Sequence, residues 1–280
     1  DIEMRRLMWV AFAEAVRVNS NSRTSTYKLH IREPEDVVKR QAGARERLVS
    51  SMSKVVDMYV DNESVLRSAG ALRKGRFIKS ATILNHDIRK SLKALWADAL
   101  ISSPPYGDNH TTVTYGQHSF LPLCWIPLAD IDHTLQDHLL QNTHSIDSAS
   151  LGGRKVDIQR RQVAVTEKSR TLQVLLSSDS LHFEAKQRLV SFFFDLDAAL
   201  GNAIQILRPG SPIVLTLGNR CVGGQRIHTD SIIQEMLEMR MCSFIDTHNR
   251  AIPTKRMAHR NQSAGTMLTE TLLIMRSPRT

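Results

Sequence analysis

Cysteine is scarce in this chain. Cys124, Cys221 and Cys242 are odd in number, far apart and form no CxxC pair, which excludes a disulfide framework and leaves three separate core or surface thiols. The 11 histidines make no HxxxH or HExxH cluster, so no structural metal is expected. No apolar run approaches the roughly 20 residues needed to cross a bilayer, and no internal repeat or low-complexity tract is present. The opening segment, residues 1–18, carries Glu3 and Glu14 among its basic residues and has no signal-peptide cleavage pattern, so a cytoplasmic protein is expected. Acidic residues are outnumbered: 28 Asp and Glu stand against 37 Lys and Arg, for a net charge of +9 and a pI near 9.7. That excess favours a polyanionic partner. Many proteins that bind no nucleic acid are also basic, so the motifs must decide.

The 280 residues are enough for one α/β domain, or for one with a helical extension. Met4, Leu7, Met8, Ala11, Phe12 and Ala15 recur at helical spacing and give residues 1–18 an apolar face. The polar run 19–25 then breaks the pattern. Pro34, with Glu33, Glu35 and Asp36, reads as a helix start, and residues 37–72 suit one long helix or two. After Gly75 the texture changes. Residues 80–87 form a β-prone run ending in Asp87, and residues 97–103 form a second that runs into a double proline. Residues 128–180 are polar and read as loop and short helix. Downstream, helices are expected over 189–207 and 230–239, and strands over 212–218, near 242–250 and near 267–276. Strands alternating with helices indicate an α/β sheet. The expected organisation is a helical region over residues 1–75, for docking or DNA contact, and a catalytic region over 76–280 with a polar insertion at about 128–180.

Ser103-Pro104-Pro105-Tyr106 has a specific physical use at the end of a strand. The prolines fix φ and donate no backbone hydrogen bond, so the chain leaves the sheet in a rigid loop with free carbonyls. A polar residue ahead of them, together with a proline carbonyl, can accept hydrogen bonds from an amine. The aromatic ring behind them can stack on a flat base. An amine held this way keeps its lone pair out of ring conjugation and aimed at a methyl donor. A paired base hides its amine, so the target must be flipped out of the helix. The plainer alternative is a Pro-Pro loop that only ends a strand.

The residues from Ser102 through Tyr106, Asn109, Thr111 and Tyr115 to Gln117 resemble the catalytic loop of prokaryotic amino-group DNA methyltransferases. That family shows Asp, Asn or Ser, then Pro-Pro, then an aromatic residue. The resemblance continues at Leu207-Arg208-Pro209-Gly210, at Leu215 to Arg220 and at Ile252 to Met257, in the expected order, and covers roughly residues 80–276. It implies a Rossmann-like class I methyltransferase sheet preceded by a helical region, with S-adenosylmethionine as cofactor, double-stranded DNA as partner and no membrane. It assigns Ser103 and the Pro104 carbonyl to the target amine, with Pro105 shaping the loop, and Tyr106 to stacking on the flipped base. Asp87, Ser103 and Asn219 would contact the cofactor. Asn109, Thr111, Tyr115, Arg154, Lys155, Arg220, Lys255 and Arg256 would contact nucleic acid, with Arg260 suited to a phosphate. Asp87 could equally cap a turn, and Asn219 and Arg220 could equally shape one. A serine in the first position is, within the family, more typical of N4-cytosine than of N6-adenine methylation.

The family also needs a glycine-rich loop after its first strand, because close approach of backbone to the cofactor needs glycine. None is found here. None of Gly152-Gly153, Gly218 and Gly223-Gly224 both follows a strand and opens a helix. The resemblance therefore implies an incomplete sheet, its first strands supplied by another polypeptide or by a removed N-terminal section. A sheet so truncated would expose an edge and an apolar face. Two other readings stay open: an RNA base-amine methyltransferase, and a non-catalytic DNA-binding subunit that keeps a methyltransferase-like fold.

Overall fold

The first helix forms where apolar residues recur at helical spacing. In the computed structural model, which describes residues 1–24, 29–39, 43–84, 86–92, 95–106, 114–133, 135, 137–222, 225–252 and 269–279, α1 spans Ile2–Asn19. The Asp1 carboxylate caps it by accepting from the Glu3 amide at 2.9 Å. Its buried residues, Ala11 and Ala15, are small and one turn apart, so α3 (Ala44–Ser68) packs against it and buries Ser51 and Val55. Between them α2 (Pro34–Val38) starts on its proline. The helical pattern over 37–72 is thus carried by two helices. A two-residue hairpin follows, β1 (Leu72–Arg73) with β2 (Arg76–Phe77). Lys74 and Gly75 at its tip both have positive φ, which matches the twist of the flanking strands.

Helices α4 (Tyr115–Leu123) and α5 (Leu128–Ile131) also pack on α1. Asp130 fixes the second contact: its carboxylate accepts from Arg5 and from the Trp9 indole, each at 2.8 Å, and Arg6 donates to its carbonyl at 2.6 Å. The chain divides into two compact units, residues 1–85 with 115–146, and residues 86–114 with 147–280. The sequence suggests one boundary near residue 75. Residues 115–146 group with the helical residues, where the buried Asp130 has three partners on α1.

The chain passes into the second unit through α6 (Ser145–Ala149). A four-stranded sheet organises this unit, in the order β3 (Leu100–Ser102), β4 (Pro212–Leu217), β8 (Thr269–Arg276), β7 (Ser243–Ala251). Strands β3 and β4 are parallel, with Leu100 opposite Ile213 and Ser102 opposite Leu215, while β8 is antiparallel to both β4 and β7. Alternation puts Ile213, Leu215, Leu217, Leu273 and Met275 on one face, all essentially buried. Helices α8 (Arg170–Ser177), α9 (Phe183–Gln205) and α10 (Thr229–Glu238) contribute most of the rest of this core. A small pair, β5 (Cys221–Val222) with β6 (Gln225–Arg226), connects β4 to α10. The result is an α/β architecture with a mixed sheet. Residues 80–84, 86 and 87 form no strand, contrary to the β-prone reading, and the polar stretch 128–180 is mainly short helices, including α7 (Ile158–Thr166). No helix among the described residues is long and apolar enough to cross a membrane.

The long apolar helix α9 carries two buried carboxylates, and each is compensated. Asp195 accepts from Arg89 at 3.0 Å and from the Gly152 amide at 2.8 Å, with Arg161 at 3.7 Å. Asp197 accepts from Lys168 at 2.6 Å and from Arg240 at 2.8 Å. A buried charge is tolerated only with such partners. They tie the segment ahead of β3, the loop before α7 and the end of α10 to one helix.

Candidate active site

The parallel pairing of β3 with β4 brings their carboxyl ends to one edge of the sheet, where ligands of open α/β sheets gather. Because β8 runs the other way, its first residues lie at that edge too, as do the last residues of β7. Four segments therefore meet there: Ser103 to Tyr106 after β3, Gly218 to Arg220 after β4, Arg250 at the end of β7 and Glu270 at the start of β8.

Ser103 is exposed, and the next three residues are half-buried. Tyr106 folds back so that its hydroxyl lies 3.2 Å from Ser103 Oγ and donates to Glu270 Oε1 at 3.0 Å. Arg250 Nε and Nη2 hold the other carboxylate oxygen of Glu270 at 2.9 and 2.8 Å. Burial, followed by the Glu270 carboxylate, pushes the Tyr106 hydroxyl above the ordinary tyrosine range. It is therefore a neutral donor at any physiological pH.

The other residues singled out by sequence fall elsewhere. Asp87 lies in a turn, and its carboxylate accepts from Arg89 Nε at 2.9 Å, Arg89 Nη2 at 2.8 Å and the Arg89 amide at 3.0 Å. The Arg89 guanidinium holds it down at about 2. Asn219 donates to Asp230 at 2.8 Å and accepts from the Asp230 amide at 3.3 Å, securing the first turn of α10. Arg220 is half-exposed beside it. Arg154 and Lys155 are exposed in the loop ahead of α7, and Tyr115 is exposed at the start of α4 in the helical unit. Asn109, Thr111, Lys255, Arg256 and Arg260 lie outside the described residues.

Among the described residues, these side chains do not make a complete site for S-adenosylmethionine. The Asp87 and Asn219 side chains are engaged by Arg89 and Asp230. The pair Gly152-Gly153 serves packing: Gly152 has φ +73°, and a Cβ there would lie 2.7 Å from Phe192 Cα. Two residues that sequence alone does not single out, Glu270 and Arg250, are built into the network around Ser103. Each is an isolated charge on a strand with no motif around it, 164 and 144 residues from Tyr106, so only the strand register could reveal them.

No family model matches the sequence, and no solved structure matches it. The sequence is 27% identical over 285 residues to a protein of Kocuria varians, type II methyltransferase M.MvaI. The match takes in 98% of this chain but 61% of that protein, so the chain spans less than two thirds of the length of its curated relative. Over nearly its whole length, this chain is thus a distant homologue of a type II methyltransferase.

Proposed function

We propose that this chain provides the base-binding and catalytic part of a DNA methyltransferase that modifies an exocyclic base amine. The observation that carries the reading is the exposed Ser103 hydroxyl at the carboxyl edge of β3, followed by two prolines and by an aromatic ring tied back to it. Ser103 Oγ and the Pro104 carbonyl accept the two amine hydrogens, which localises the nitrogen lone pair. Pro104 and Pro105 keep that geometry rigid, since neither φ can vary. The Tyr106 ring stacks on the base once it is flipped. Ser103 in the first position favours N4 of cytosine over N6 of adenine. Arg154, Lys155 and Arg220, with Lys255 and Arg256, contact phosphates of double-stranded DNA.

The larger part of the S-adenosylmethionine site, including its glycine-rich loop, then comes from outside these residues, either from a second polypeptide or from more of the same one. Strand β3 supports this, since its outer edge pairs with no strand among the described residues. Ile101, on the face opposite the core, is 80% exposed, and Trp96 ahead of it is 73% exposed. Parallel sheets are normally covered on both faces. A further parallel strand and its crossover helix would cover both features, completing a Rossmann-like sheet. The test is transfer of labelled methyl from S-adenosylmethionine to duplex DNA, by this chain alone and with any co-purifying polypeptide. Label in N4-methylcytosine is expected with the complement. Label in RNA alone, or in nothing, overturns the reading.

A further inference from the structure

The network behind Ser103 has a direction. Tyr106 has a single hydroxyl hydrogen, and Glu270, as a carboxylate, only accepts. The Tyr106 hydrogen is therefore committed to Glu270 Oε1 at 3.0 Å, so the 3.2 Å contact between the two hydroxyls must be donated by Ser103. Both rotatable hydroxyls then point the same way, from Ser103 to Tyr106 to Glu270. The lone pairs of Ser103 Oγ are left facing outward with no hydrogen between them and an incoming donor. Arg250 fixes the far end: it is donor-only and takes the second oxygen, Glu270 Oε2, at 2.8 and 2.9 Å. The Glu270 side chain is 18% exposed, so solvent competes little for Oε1.

We propose that Glu270 is a positioning residue that sets the polarity of the Ser103–Tyr106 hydroxyl pair, so that Ser103 can only accept from the base amine. This deepens the proposed function and rests on it for the identity of the incoming donor. The consequence is specific to an isosteric change. In Glu270→Gln, Arg250 can only face the amide oxygen, which turns the amide NH2 toward Tyr106. The Tyr106 hydroxyl then accepts from Gln and donates to Ser103, filling the lone pair the amine requires. A hydrogen-bond chain of the same shape is kept with its direction reversed.

The experiment measures kcat and KM for DNA of the active enzyme, with its complement where one is needed, for wild type, Glu270→Gln, Tyr106→Phe and the double variant. Glu270→Gln is expected to lower kcat about tenfold or more, as a charge-assisted hydrogen bond implies, with KM changed less than about twofold. In the Tyr106→Phe background the same substitution should cost less than about twofold, because no hydroxyl remains to transmit the reversal. Equal losses in both backgrounds overturn the proposal and leave Glu270 as a brace for the β7–β8 hairpin. An activity-independent readout is ultraviolet titration of Tyr106, taken as the difference between each protein and its Tyr106→Phe counterpart. Its ionisation should move to lower pH in Glu270→Gln, since the neighbouring negative charge is gone; an unchanged titration overturns the proposal. If wild type transfers no methyl group to DNA, the proposed function falls and the amine loses its support. The titration then still decides whether Glu270 directs the hydroxyl pair.

Discussion

Ser103 and Asp87 sit on adjoining stretches of chain, yet they lend themselves to opposite uses. Ser103 is exposed at a strand end, and its hydroxyl contacts that of Tyr106. Ser103→Ala should therefore leave the unfolding midpoint unchanged while lowering methyl transfer on the order of a hundredfold, the scale for removing one oriented hydrogen-bonding group. Loss of less than about threefold would place the amine elsewhere. Asp87 accepts three hydrogen bonds from Arg89, and its charge acts on stability. Its folded pKa of about 2 lies below the ordinary 3.8, so it stabilises the fold above pH 4 and that contribution disappears as pH falls from 4 through 2. With the carboxylate a third exposed, screening reduces the effect to about 1 kcal/mol. Asp87→Asn should lose that much at pH 7 and only a small part of it near pH 2, read from urea unfolding at both. Equal losses at both pH values would show that the charge is not the cause. The tetrapeptide could be singled out in sequence because its residues are contiguous. That Arg89 and Asp230 engage Asp87 and Asn219 could not be read from sequence, because neither pair belongs to a motif. Glu270 was invisible for the converse reason: its partner is far away in the chain.

Among the elements, legibility followed periodicity and partner. Helices α1 and α10 and strands β4, β7 and β8 fall within a few residues of their expected places, whereas α9 begins at Phe183, well ahead of the expected residue 189. All but β7 have a repeat and a core to face; β7 is exposed along its whole length and is held by its pairing with β8. The run 80–87 has β-prone residues but no neighbouring strand to pair with among the described residues, and β-propensity without a partner makes no strand. The short helices expected within 128–180 could not be given bounds from sequence, since they bury only one or two residues each. Helix α9 carries the heaviest packing, and Gly152 marks how closely the loop before α7 approaches it. Gly152→Ala adds a Cβ against Phe192 backbone at positive φ and should destabilise by about 1–3 kcal/mol. An unchanged urea midpoint would show that the loop can lift away without loss.

The whole molecule combines a net charge of +9 with a sheet whose β3 edge is unpaired among the described residues. If the charge serves DNA binding, affinity should fall steeply with salt, about a thousandfold between about 50 and about 200 mM for half a dozen phosphate contacts. A flat salt dependence would contradict a phosphate-dominated interface. The β3 edge bears on the reading that part of the cofactor site lies outside these residues, and one measurement reaches it most directly. Labelled-methyl transfer from S-adenosylmethionine to duplex DNA, followed by nucleoside analysis, is to be run with this chain alone and with its complement. N4-methylcytosine formed only when the complement is present is the expected result. Robust methylation by this chain alone would contradict the claim that its cofactor site is completed from outside, and no methylation of DNA under either condition would contradict the proposed function itself.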